Sequence, residues 1–222
     1  HDFAFGAFDT FERADETLDG VKVSFFYPRG YAGAAARERD ALAFAIPHFR
    51  SLYGKYPYET LSVVHPPNKD REAGGMEYPT LITTGGPWHG PPFVRELELV
   101  TIHEFGHQYF QGMLASDESA QPWLDEGLNT TANMLTLADW HGDPPWFARI
   151  GNQTISVDDF VRGTVDGEVH LDPVDAPAET YRAVIGDYGD VVYRKTGAIL
   201  LTLRNLVGHP RFDAAFRTYA LT

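Results

Sequence analysis

Two histidines four residues apart, His103 and His107, enclose Glu104 in the run His103-Glu104-Phe105-Gly106-His107, and a further acid, Glu126, stands in Trp123-Leu124-Asp125-Glu126-Gly127. On a helix, side chains at i and i+4 rise from one face about 5 to 6 Å apart, so both imidazoles can reach one metal ion. Glu104 borders that ion without ligating it and is placed to take a proton from a metal-bound water. Eighteen residues separate His107 from Glu126, enough for the first helix to end, a turn, and a second helix to bring back a third ligand. Two imidazoles and a carboxylate around one Zn2+, with the fourth position open to water, are the parts of a zinc hydrolase.

Composition narrows the remaining classes. At 222 residues and 43% apolar, the chain can bury a full core as one large domain or two joined lobes. A formal charge of −13 and the lack of any basic run speak against nucleic acid or anionic lipid as partners, since phosphate binding needs clustered Lys and Arg. There is no cysteine, so a metal must be held by His and carboxylates. No run of eighteen or more apolar residues predicts a membrane span in this segment. The start His1-Asp2-Phe3 has neither an initiator Met nor a signal-peptide pattern, and the chain reads as cut from something longer. Compartment and oligomeric state are left open.

These side chains need elements to hold them. Alternation of Val21, Val23 and Phe25 around Asp19-Gly20 predicts a hairpin within the first 28 residues. Leu42, Ile46 and Phe49 mark an amphipathic helix from Ala34 to Tyr53, which Pro47 should kink or end. Leu61 to His65 reads as a buried strand, with His65 a strand-end residue and not a ligand. The Gly pair Gly74-Gly75 leads into a short extended run in which Pro79 requires a sheet edge, and such an edge could pair with an extended peptide. After Pro91-Pro92, the spacing of Leu99, Ile102, Gly106, Tyr109 and Met113 predicts the buried stripe of the motif helix. A second helix starts near Pro122 and buries Trp123, Leu124, Leu128 and Leu135, with Glu126, Thr130 and Asn133 on another side. Helices dominate the remainder, broken at Pro144-Pro145, Gly163 and residues 173–177, the last two running over 190–206 and from Pro210 onward.

Three separated motifs resemble the M1 family of zinc aminopeptidases. Gly74-Gly75-Met76-Glu77-Tyr78 is similar to the family's Gly-Ala-Met-Glu-Asn exopeptidase motif; His103 to His107 with Glu126 is similar to its zinc motif; and Tyr193-Arg194-Lys195-Thr196-Gly197 looks like its Tyr-x-Lys segment. The chain departs from the pattern at Tyr78, where Asn is common, at Arg194, where Glu is common, and at Asn133, where a carboxylate often supports the zinc ligands. The resemblance implies an α+β fold, the thermolysin-like metallopeptidase catalytic domain, with a mixed α/β lobe over 1–90 and a mainly helical lobe over 91–222 that carries the zinc site. The family's preceding β domain and following helical domain are expected to be absent. It implies an aminopeptidase acting on peptides with a free N-terminus, in which His103, His107 and Glu126 hold one Zn2+ and Glu104 is the general base. Tyr193, with Tyr188 as the competing register, would stabilise the oxyanion. Gly74, Gly75, Met76 and Glu77 would bind substrate, Glu77 pairing with its α-ammonium group. Two other readings stay open: a thermolysin-like endopeptidase, which needs no free amine, and a noncatalytic zinc-binding interaction module.

Overall fold

The computed structural model describes residues 3–85, 91, 93–141, 146–157, 159, 172–183 and 188–221. They fall into two compact units, His1–Gln108 and Tyr109–Thr222.

In the first unit, strands β1 (Phe11–Leu18) and β2 (Val21–Pro28) form the hairpin expected from Asp19-Gly20. Asp19 and Gly20 have φ of 46° and 84°, the left-handed pair that a two-residue turn needs to match strand twist. Val21, Val23, Phe25 and Tyr27 are buried, while Lys22 between them is exposed, so β2 turns one face to the core. β3 (Thr60–Val64) and β4 (Leu81–Thr83) add in parallel, giving the order β1-β2-β3-β4 with β4 at one end.

Helix α1 (Ala32–Tyr53) makes the crossover that the parallel β2–β3 pair requires. Its buried positions Ala34, Glu38, Ala41, Leu42, Ala45, Ile46, Phe49 and Tyr53 follow the helical period. Of the two outcomes expected at Pro47, a helix end is not the one found: the helix runs on through it to Tyr53. Pro47 is exposed, as is Ala43, whose carbonyl loses its usual donor there, so water can replace the missing bond.

The second unit holds α3 (Leu128–His141), a hairpin of β5 (Trp146–Ile150) and β6 (Gln153–Ser156), and helices α4 (Thr196–Val207) and α5 (His209–Ala220). The hairpin corrects the expectation of helix in this stretch. Its two-residue turn is Gly151-Asn152, with Gly151 at φ 61°, a turn pair whose flanks, Ile150 and Thr154-Ile155, suit strands. Stacked rings of Phe110 and Phe216, centroids 5.3 Å apart, and Phe212 beside Phe216 at 5.7 Å anchor α5 in this unit's core. Among the described residues no helix is long and apolar enough to cross a membrane. Pro92, Pro144, Pro145 and Gly163, expected from their types to bound helices, lie outside the described residues.

Candidate active site

Helix α2 (Glu96–Gly106) carries the first histidine and is seated against α1 by two kinds of contact. Arg37 donates to both carboxylate oxygens of Glu98, at 2.7 and 2.6 Å, and to the Val94 carbonyl at 2.7 Å. Phe105, fully buried, meets Phe49 edge-on with centroids 5.4 Å apart. The stripe expected from Leu99 to Met113 is only partly realised: Ile102, Gly106 and Tyr109 are buried, but Leu99 is half-buried and Met113 exposed. For Met113 the reason is that the helix closes at Gly106 and residues 107–114 form turns, so the 3.6-residue period no longer predicts its facing.

His107 caps that helix with helical torsions, φ −62° and ψ −18°, and its backbone N–H still reaches the His103 carbonyl at 3.2 Å. The i,i+4 relation therefore survives the helix end. The two Nε2 atoms stand 3.1 Å apart, both rings buried. That separation suits two imidazole lone pairs directed at one tetrahedral zinc with Zn–N bonds of about 2.0–2.1 Å. The donor set therefore fits the metal that the motif implies.

Glu104 is buried as well, and its Oε1 lies 3.7 Å from where a Cβ on Gly75 would stand. Gly75 has φ 69°, so a side chain there would be strained by the backbone as well as brought up to the Glu104 carboxylate. The Gly74-Gly75-Met76 segment does not leave a bare strand edge. Gly75 and Met76 donate to the Thr83 carbonyl at 2.8 and 3.2 Å, and Thr83 donates back to Met76 at 2.8 Å, so the chain itself covers the outer edge of β4. Pro79 sits in the turn before β4, not in a strand. A carboxylate oxygen of Glu77 comes within 4.8 Å of a His107 ring nitrogen. The first unit thus brings His103, Glu104, His107, Gly75 and Glu77 together.

In the second unit Glu126 lies in a π-helical turn, Trp123–Gly127, and Tyr193 in another, Gly189–Lys195. Trp123, Leu124 and Leu135, expected in the buried stripe, are half-buried, whereas Leu128 is buried. Glu126, Thr130 and Asn133 are all buried, and the Tyr193 hydroxyl donates a short hydrogen bond to the Glu126 carboxylate. Tyr188 instead packs edge-on between Tyr181 and Tyr193, at 6.0 Å from each, beside the buried Val191 and Val192. The two π turns meet at Gly127, where a Cβ would run into the Thr196 side chain, its Cβ at 2.7 Å, and the Val192 carbonyl oxygen at 3.0 Å.

Three features escaped the sequence reading. Gln108, buried directly after His107, bonds the backbone of residues 77–80. Gly127 is the contact point of the π turns; its position next to Glu126 was the only visible signal. His65, expected at a strand end, follows β3 directly and is buried with its Nδ1 2.5 Å from Glu38 Oε1, to which Thr84 also donates. A lone Glu in the middle of α1 gave no hint of that pairing.

The family model for the peptidase family M1 domain matches residues 41–221. Among curated proteins, aminopeptidase M1-B of Oryza sativa subsp. japonica is 22% identical over 223 residues, covering 96% of this chain and 24% of that protein. Aminopeptidase M1 of Arabidopsis thaliana is 24% identical over 223 residues with the same coverage, 96% and 24%. A crystal structure of a mutant M1 zinc metallopeptidase from Deinococcus radiodurans superposes with a TM-score of 0.61 at 22% identity, covering 95% of this chain and 44% of that one. A two-domain M1 zinc metallopeptidase mutant bound to L-arginine gives 0.59 at 22% identity, with coverage of 95% and 44%. The chain therefore spans about a quarter of the length of these curated relatives.

Proposed function

Because the chain belongs to peptidase family M1, we propose that it is the catalytic portion of a zinc aminopeptidase, cleaving the first peptide bond of substrates with a free N-terminus. The observation that carries this reading is the grouping, within one compact unit, of converging His103 and His107 imidazoles, the Glu104 carboxylate against Gly75, and Glu77 beside His107. By the family's zinc motif His103, His107 and Glu126, each buried, would hold one Zn2+, two imidazoles and a carboxylate being donors suited to that metal. When bound, zinc supplies Lewis acidity, lowering the pKa of a water toward neutrality and polarising the substrate carbonyl.

The protein's own groups do the rest. Glu104 accepts the proton of the attacking water and passes it to the leaving amine. A buried carboxylate suits that role because it is held in one place. Tyr193 donates its hydroxyl hydrogen to the oxyanion as it forms; its hydrogen bond to Glu126 keeps the phenol beside the ligand until then. Glu77 pairs with the α-ammonium group of the substrate, setting the distance from the chain end to the cleaved bond. Gly74, Gly75 and Met76 supply the backbone of that subsite, and Gly75 leaves the space in front of Glu104 open.

Hydrolysis of aminoacyl arylamides with free and N-acetylated amines tests this. The protein should prefer the free amine strongly, and Glu77→Ala should erase most of that preference at unchanged zinc content, a loss of roughly 2 to 5 kcal/mol for a charge-assisted contact deprived of its partner. Equal cleavage of both substrates by zinc-loaded protein would sink the aminopeptidase reading in favour of an endopeptidase, and no cleavage of either would favour a noncatalytic module.

A further inference from the structure

The turn Tyr78-Pro79-Thr80-Leu81 joins the Glu77 segment to β4, closed by the Leu81 N–H bonding the Tyr78 carbonyl at 3.0 Å. Thr80 has φ 62°. With Pro at the second position and a positive φ at the third, this is the type II arrangement, which ordinarily places Gly or Asn where Thr80 stands. A β-branched residue in that region is a true outlier, because its two Cβ substituents crowd the backbone. Such a conformation persists only where its surroundings hold it.

What holds it is the side chain of Gln108, 2% exposed and next in sequence to His107. Its Oε1 accepts the Thr80 N–H at 3.0 Å, while its Nε2 donates to the Glu77 carbonyl at 3.1 Å and the Tyr78 carbonyl at 3.2 Å. Partners of opposite kind on the two ends of the amide fix its orientation. A primary amide offering one acceptor and two donors serves three backbone groups of this segment as a neighbouring strand would. The Thr80 carbonyl is itself taken by the Ser62 N–H at 2.7 Å, so the turn is pinned from the β3 side too.

We propose that Gln108 is a positioning residue for the amine subsite: it ties the backbone of Glu77 to the residue adjoining His107 and so sets the distance between the Glu77 carboxylate and the metal ligands. This rests on the assignment of Glu77 to the substrate amine. Gln108 touches no reacting atom. It acts by holding strained Thr80, and with it Glu77, in register with the end of α2. Gln108→Glu keeps the acceptor for Thr80 but sets a carboxylate against two carbonyls, whereas Gln108→Ala removes all three bonds.

The test is the ratio of kcat/KM for free over N-acetylated aminoacyl arylamides, measured with zinc content in the zinc-loaded protein. Both Gln108 variants should lower the ratio tenfold or more, chiefly through a higher KM for the free amine, with zinc stoichiometry kept. Adding Thr80→Gly to Gln108→Ala should recover part of the loss, since glycine adopts the positive φ without being held. In a Glu77→Ala background, Gln108→Ala should lower the ratio no further. Should Gln108→Ala fail to fold, Gln108→Glu and the Thr80→Gly double variant decide the matter. An unchanged ratio in the folded Gln108 variants while Glu77→Ala collapses it overturns this inference alone. Loss of zinc from every Gln108 variant also overturns it, showing that the side chain supports the metal helix instead. A ratio unaffected by Glu77→Ala overturns the aminopeptidase assignment and this inference with it.

Discussion

Replacing Glu104 with Gln keeps its volume and removes its basicity. If Glu104 takes the water's proton, Glu104→Gln should bind zinc normally and lose about a hundredfold to ten-thousandfold in turnover. Metal analysis beside single-substrate kinetics separates these effects, and full activity in the variant would remove Glu104 from the mechanism. Tyr193 makes a second prediction at this scale. Its hydroxyl bonds the Glu126 carboxylate, whereas Tyr188 is packed among Tyr181, Val191 and Val192. Tyr193→Phe should therefore lower kcat by on the order of a hundredfold with little change in KM, because its bond strengthens only as charge develops on the carbonyl oxygen. Tyr188→Phe should be mild. The reverse ranking would return the oxyanion role to Tyr188.

At the scale of elements, the two π turns are the devices that the site depends on in the second unit. A π turn inserts one residue into a helix and is stable only where tertiary contacts favour it. Here Gly127 lets the turns approach, and just beyond them Gly197 lets α4 approach α3, a Cβ on Gly197 meeting Thr130 Cγ2 at 3.2 Å. Gly127→Ala should overpack this contact, since Thr196 is stiff at χ1 and the Val192 carbonyl is backbone; the expected cost is at least about 1–3 kcal/mol. Gly189→Ala is the control: it sits in the second π turn, has no heavy atom within 4 Å of the added Cβ, and has no positive φ. It should leave stability unchanged or raise it by about 0.4–1 kcal/mol. Denaturant unfolding of the two variants checks this, and equal midpoints would show that Gly127 is not a contact point.

For the whole molecule, a metal that binds the native state and not the unfolded chain adds stability by mass action, about 4 kcal/mol at a thousandfold excess over its Kd. Chelation should therefore lower Tm by on the order of ten degrees for a chain of this size. His107→Ala, which removes a proposed ligand, should melt near the chelated protein and respond little to added chelator. Identical melting of native protein with and without chelator would show that the ligands are held by packing alone.

What the amino-acid order determined by itself was local. The hairpin at Asp19-Gly20 comes from two adjacent residues able to take positive φ, α1 from a 3.6-residue apolar period, and the approach of His103 to His107 from their spacing on one helix turn. These relations hold within a few residues, so the order of residue types carries them. Only the tertiary structure decided where Gln108 reaches, since its partners lie 28 to 31 residues away and no periodicity links them. The same holds for Tyr193 on Glu126, 67 residues apart, and for the π turns, whose added residue changes the facing of side chains without changing composition. Hydrogen bonding and close packing between distant segments select these arrangements, and those terms become favourable only once the chain has folded.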